Sequence, residues 1–221
     1  MGKNRPADRA QSADKVAIVT GGANGIGKEI CIRLAEAGTC LLIADVQEQV
    51  QETAESVAAQ FEVASDFYMG DLSREEHGLA MMERAIARFG KIDVLVNNAG
   101  GGVILPFLEH TSETLKTTID RNLWTTIWAC HAVLPHMVGQ NFGRIINIGA
   151  DSVRTGLYNH AAYNAAKGGV HALTTGLARE FVDSLVHQES IYLIIFQNSV
   201  IKKCRSVFLR KIDHFTNQIW I

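Results

Sequence analysis

From Lys15 onward, short runs of branched and apolar residues alternate with longer stretches in which apolar positions recur every three or four residues. The runs 16–20, 41–45, 61–68, 92–97 and 144–148 predict strands, and 25–37, 47–60, 73–89, 120–137 and 161–181 predict helices. Alternation of this kind predicts βαβ units around a parallel sheet, with helices covering both faces. Ser73 followed by Glu76 reads as a capping box at the third helix, and Pro135 is expected to kink or terminate the fourth. Residues 1–14 are polar, mixed in charge and without period, which predicts a flexible leader ahead of the folded unit.

Composition narrows the partners. With 221 residues, 47% of them hydrophobic and 20% charged, the chain has enough apolar material for one substantial core. Its 21 basic and 23 acidic residues give no electrostatic case for nucleic acid or an anionic membrane, so a small-molecule partner is expected. Cys31, Cys40, Cys130 and Cys204 lack CxxC spacing and no secretory pattern precedes them, which argues against a disulfide framework or structural zinc and for a reducing cytoplasm. The longest apolar runs, such as 192–196, fall far short of the roughly 20 residues a spanning helix needs. Repeats and low-complexity segments are absent from the pattern, as are a GxSxG elbow and an HExxH pair, so hydrolase and metal-site readings drop out.

The turn between the first strand and first helix reads Thr20-Gly21-Gly22-Ala23-Asn24-Gly25-Ile26-Gly27. Glycines there permit a tight turn and close approach of a pyrophosphate to backbone N–H groups at a helix N-terminus. Asp45 closes the second strand 18 residues after Gly27, where a carboxylate can accept from both hydroxyls of an adenosine ribose and would repel a 2′-phosphate. Asn24 and Val46 offer no compensating cation, so the pattern favours NAD over NADP.

Together with Asn97-Asn98-Ala99-Gly100 and Tyr163-Asn164-Ala165-Ala166-Lys167, the glycine loop resembles, in order and spacing, the short-chain dehydrogenase/reductases over residues 15 to about 181. The resemblance implies an α/β fold of Rossmann type, a doubly wound parallel sheet in a three-layer sandwich. It assigns Gly21, Gly25, Ile26 and Gly27 to the cofactor loop, Asp45 to the ribose, Asp71 and Leu72 to the adenine pocket, and Asn98 and Gly100 to a contact beyond the fourth strand. It also implies a homo-oligomer.

Exchanging a hydroxyl proton near neutral pH requires an activated group, whereas a free tyrosine has a pKa of about 10. Lys167 lies one helical turn beyond Tyr163, and a cation there is expected to favour the phenolate. Lowering that pKa into range takes about 3 to 4 kcal/mol, which implies a partly buried pair. The resemblance adds nicotinamide-ribose binding to the tasks of Lys167 and places Asn122 in a proton relay. A substrate-orienting serine is expected 13 residues before the tyrosine, but Ala150 stands there and Ser152 follows two residues later. Either the loop bulges to bring Ser152 to the substrate oxygen, or no serine does this work; Ser152 is the favoured candidate.

The expected function is NAD-dependent hydride transfer between nicotinamide and a secondary alcohol or ketone. Residues 147–181 are similar to dehydrogenases of cyclic dihydrodiols and hydroxy acids in aromatic-compound breakdown. A 3-oxoacyl-carrier-protein reductase and an NAD-binding protein with little turnover are the alternatives. Beyond Phe181 the family's sixth strand, its Pro-Gly and its last strand are not visible, and 182–221 contains neither proline nor glycine. The C-terminal strands are therefore expected to be altered or missing, through a shifted reading frame or alternative end, although 191–196 has the apolar content of a sheet-edge strand.

Overall fold

The structure, a computed structural model, describes residues 14–182 and 186–193. Residues 1–13 of the expected leader and the basic stretch 202–211 lie outside them. Six strands, β1 (Val16–Thr20), β2 (Cys40–Asp45), β3 (Ser65–Met69), β4 (Val94–Asn97), β5 (Gly143–Ala150) and β6 (Val186–Leu193), form one sheet in the order β3-β2-β1-β4-β5-β6. Every pairing is parallel. The helices are α1 (Gly25–Glu36), α2 (Gln49–Phe61), α3 (Glu75–Phe89), α4 (Ser112–Ile119), α5 (Thr125–Gly139), the short α6 (Ser152–Thr155) and α7 (Ala161–Glu180). This is the Rossmann-type doubly wound sandwich that the alternation and the resemblance predict.

The two layers of core follow from the two-residue period of a strand. Ala17, Val19, Leu41, Ile43, Val94 and Val96 pack one face against Ile30, Leu34, Val50 and Val57 of α1 and α2. Their neighbours Ile18, Leu42, Leu95 and Ile145 pack the other face against Met81, Ala85, Val133 and Met137 of α3 and α5. A strand covered on both faces loses the apolar/polar alternation, which is why β1 is buried along its whole length and reads as a continuous apolar run. Full burial of each large aliphatic residue contributes roughly 1.5–3 kcal/mol. At the amino end of the sheet Asp93 accepts from the Val16 N–H at 2.9 Å and pairs with Lys15 and Lys91, leaving the carboxyl ends of the strands for the site.

Three sequence expectations change. Residues 61–63 finish α2 and its turn: Glu62 adopts a left-handed conformation (φ 57°) that stops the helix, and β3 begins only at Ser65. Phe61, Val63 and Phe67 all pack on the same core layer, so their every-second spacing imitates one strand. The Ser73 capping box does not form, because α3 begins at Glu75 and the Ser73 N–H is taken by the Asp71 carboxylate at 3.1 Å. A capping box exists instead at α4, between Thr111 and Thr114. Pro135 does not end its helix, since α5 continues to Gly139; the irregularity lies earlier, in a π-helical segment Asp120–Trp124 that joins α4 to α5.

The C-terminal expectation is corrected in part. A sixth strand is present at Val186–Leu193, paired in parallel along the whole of β5, from Gly143 opposite Val186 to Ala150 opposite Leu193. It overlaps the apolar run 191–196 at residues 191–193, and 194–196 lie outside the described residues.

Candidate active site

The strand order reverses between β1 and β4, whose crossovers leave in opposite directions and open a crevice at their carboxyl ends. A cleft of about 920 Å³ occupies this place, reaching from Asp45 and Gly70–Ser73 at one end, past Gly21, Gly27 and Asn98, to Asn122, Ala150, Tyr163 and Lys167 at the other. Its volume is that of a large ligand pocket.

The loop after β1 is laced to the loop after β4. The Thr20 hydroxyl accepts from the N–H groups of Asn98 and Ala99 at 3.1 and 3.0 Å, and the Asn98 amide donates to the carbonyls of Thr20 and Gly21 at 3.1 and 3.0 Å. Thr20 is a site residue that the sequence reading missed; its place at a buried strand end, before the first glycine, was the available signal. Gly27 allows the close approach of α1 to this loop, since a Cβ there would lie 2.0 Å from the Gly21 carbonyl oxygen. Gly25 is needed for another reason: its φ is +54°, with open space around the missing side chain.

Asp45 is held ready at the far end. One carboxylate oxygen accepts from the Ala23 N–H at 2.9 Å and the other from Gln47 N–H at 3.1 Å, while the Asn24 amide donates to Gln47 Oε1 at 2.8 Å. These contacts fix an acidic group beside neutral neighbours. Asp71 is exposed at the turn after β3, and the N–H and hydroxyl of Ser73, with the charges of Arg74 and His77, hold its carboxyl below the usual range against partial burial. Leu72 is buried beside it.

Asn122 sits inside the π-helical segment, fully buried. Its amide donates to the carbonyls of Gly101 and Thr118 at 2.7 and 2.8 Å, and its oxygen accepts from the Gly101 N–H at 3.2 Å. π-bulges are rare in helices and recur at functional sites, where they turn a residue away from the regular ladder. At Gly100 a Cβ would meet Asn122 Oδ1 at 2.8 Å and Lys167 Nζ at 3.4 Å, so the glycine marks the point where these two groups converge.

Lys167 is buried, and its ammonium donates to the Ile148 carbonyl at 2.8 Å. Burial lowers its pKa from 10.5 to about 8. Tyr163, one turn before it and partly buried, has its pKa raised by burial. The Tyr163 phenol is thus raised by burial, while the Lys167 ammonium is directed at the Ile148 carbonyl. Ala150 lines the cleft, whereas Ser152 does not; Ser152 is the first residue of α6, and its hydroxyl donates to Asn164 Oδ1 at 2.6 Å.

Among the described residues no group of three His, Cys, Asp or Glu side chains is arranged to hold a metal, and no helix is long and apolar enough to cross a membrane. Cys31, Cys40 and Cys130 are free thiols, and burial pushes the Cys130 thiol up to about 12.

A parallel sheet that opens a crevice between glycine loop, acid and Tyr/Lys helix is the arrangement the resemblance to the short-chain dehydrogenase/reductases implies. The chain belongs to the short-chain dehydrogenase family, whose model matches residues 15–205, beyond the motif-bearing stretch that ends near residue 181. It is 55% identical over 168 residues to 2,3-dihydroxy-2,3-dihydro-p-cumate dehydrogenase of Pseudomonas putida, a match covering 76% of this chain and 65% of that protein. It is 38% identical over 167 residues to 1,6-dihydroxycyclohexa-2,4-diene-1-carboxylate dehydrogenase of Acinetobacter baylyi, covering 75% of this chain and 63% of the relative. The matches thus span just under two thirds of these relatives. Among solved structures, an NAD+-bound xylitol dehydrogenase superposes with a TM-score of 0.81 at 30% identity, covering 90% of this chain and 76% of that one. A metagenomic short-chain oxidoreductase in complex with NADP reaches the same TM-score of 0.81 at 25% identity, over 91% of this chain and 92% of that one.

Proposed function

We propose that this chain carries out NAD-dependent oxidation of a cyclic dihydrodiol that bears a carboxylate, of the kind formed in aromatic-compound breakdown. The observation that carries the reading is the single cleft joining Asp45 and the glycine loop to Tyr163, Lys167 and Asn122. The residues fit a dinucleotide: Gly21 and Gly27 let the loop and the start of α1 pack without side chains in the way, so that the helix N-terminus can receive a pyrophosphate, and Asp45 faces the ribose position with neutral Asn24 and Gln47 beside it. That acidic, uncompensated end favours NAD over NADP. Asp71 and Leu72 flank the adenine position, while Ile26, Asn98 and Gly100 line the passage toward the nicotinamide.

Bound there, the nicotinamide supplies the acceptor for the hydride that leaves the carbinol carbon. Tyr163 would accept the hydroxyl proton at its phenolic oxygen as its own phenolic proton passes to a water relay, and the carbon would become a carbonyl. Lys167 keeps two of its three donors beyond the Ile148 carbonyl, one for the nicotinamide ribose and one for a water. Asn122 uses both amide hydrogens and one oxygen lone pair on backbone groups, so its second lone pair can hold that water in the relay. Ser152 acts by fixing Asn164, next to Tyr163, rather than by touching substrate.

Two features favour an apolar ring as substrate. Exposed Ile104, Phe107 and Leu108 follow β4, and exposed Leu157 and Tyr158 follow β5, so apolar side chains stand on the two loops beyond the neighbouring strands nearest Tyr163. The Pseudomonas putida and Acinetobacter baylyi relatives are named as dehydrogenases of ring dihydrodiol carboxylates. A reducing cytoplasm suits the free thiols.

The test is reduced-nicotinamide formation from 2,3-dihydroxy-2,3-dihydro-p-cumate with each cofactor. Turnover with NAD exceeding that with NADP by roughly tenfold or more, about 1.4 kcal/mol, is expected. Equal use of NADP would refute the role of Asp45, and no turnover of this or related cyclic diols would refute the enzymatic reading.

A further inference from the structure

The adenosine end of the cleft is backed by two side chains that no motif assigns. Tyr68, near the end of β3, brings its hydroxyl to 2.7 Å from His77 Nδ1 on α3, and the two rings meet edge to face with centroids 6.1 Å apart. Between them runs the turn Gly70–Ser73, which lines the cleft. Gly70 is tied on one side, where its N–H donates to the Asp45 carbonyl at 3.0 Å. On the other side a Cβ at Gly70 would lie 2.6 Å from His77 Nδ1 and 2.7 Å from a Tyr68 ring carbon, so the glycine backbone rests directly on the pair.

From this geometry we infer that the Tyr68–His77 hydrogen bond positions the Gly70–Ser73 turn for the adenine of the cofactor, and so sets affinity for the adenosine half alone. The inference rests on the dinucleotide reading of the cleft. Tyr68 and His77 are positioning residues: they act through Gly70, whose backbone connects the end of β3 to Asp45, and through Asp71 and Leu72, which follow it. The bond joins a strand to the next helix across the intervening turn, so the turn cannot move away from the cleft without breaking or stretching it. Nothing in the pair reaches Asn122, Tyr163 or Lys167, which lie at the opposite end of the cleft.

The experiment is calorimetric binding of AMP, of nicotinamide mononucleotide and of NAD to the full chain, with Tyr68→Phe, His77→Leu and His77→Asn. Loss of one net hydrogen bond predicts about three- to tenfold weaker AMP and NAD binding in Tyr68→Phe and His77→Leu, with mononucleotide binding unchanged. His77→Asn, whose amide can replace Nδ1 as the tyrosine's partner, is expected to restore most of the affinity. Unchanged AMP affinity in folded loss variants would overturn the inference, as would equal weakening of both half-ligands. Collapse of Tyr68→Phe and His77→Leu together would also overturn it, by making the pair a requirement of the fold. A wild-type chain that binds neither AMP nor NAD would sink the dinucleotide reading as well, whereas wild-type binding with unaltered variants sinks the pair alone.

Discussion

Replacing Lys167 by Met offers a test of the buried cation that does not depend on substrate. The wild-type ammonium is buried with its pKa lowered from 10.5 to about 8, so the folded state gives up this proton at a lower pH than the unfolded chain. Between those values the unfolded state holds more protons, and stability rises with pH. The stabilising contribution is full above 10.5 and is lost as pH falls through about 8, a difference of about 3 kcal/mol across the window. Lys167→Met removes the proton from the comparison and also leaves the Ile148 carbonyl without its 2.8 Å donor, at a pH-independent cost of about 1–3 kcal/mol. Urea unfolding of both proteins at pH 6.5 to 10.5 isolates the linkage as the change in their difference. The wild type should gain on the variant by about 3 kcal/mol from the acid to the alkaline end. Parallel curves, or a wild type that loses on the variant as pH rises, would refute the argument.

Tyr163→Phe should abolish turnover, by about a thousandfold or more, while NAD affinity stays within about twofold, read by steady-state kinetics and direct titration; retained turnover removes the proton-transfer assignment. Gly27→Ala would place a Cβ 2.0 Å from the Gly21 carbonyl oxygen, a clash only a backbone shift can relieve, and is expected to lower stability by about 2–3 kcal/mol and to weaken NAD at least tenfold by thermal melting and titration. Ser152→Ala loses the 2.6 Å bond to Asn164 and should reduce stability by about 1 kcal/mol with the KM for the diol unchanged. A KM that rises tenfold in a fully stable Ser152→Ala would instead give Ser152 a direct contact with substrate.

Much of the architecture is legible in the sequence because strands buried on both faces carry apolar runs, as at 16–19 and 94–96. The glycine loop and Asp45 are equally legible, since their residue types follow from local backbone and charge. What escapes the sequence depends on contacts between distant segments. Thr20 reveals its task only when β4 lies alongside, bringing the N–H groups of Asn98 and Ala99 to its hydroxyl. The cap at α4 uses Thr114 where Glu or Gln is the usual signal, and so that helix was overlooked. Ser73 offered the expected letters, but Asp71 captured its N–H first. Lys167 sits where the spacing places it, yet its effect on Tyr163 could not be read from spacing, because burial acts on both groups.

The π-helical segment has a rotary meaning. Thr125 N–H reaches back five residues to the Asp120 carbonyl, so α4 and α5 are one rod with a single extra residue wound into it. Each residue of an α-helix turns the side-chain direction by about 100°. The insertion therefore works as a phase adjuster, letting Thr118 and Asn122 address the loop after β4 while Ala129, Val133 and Met137 address the sheet. Deleting one residue between 120 and 124 would leave the composition of both faces almost intact and still rotate one against the other, so the site is more sensitive to the length of this rod than to most of its letters.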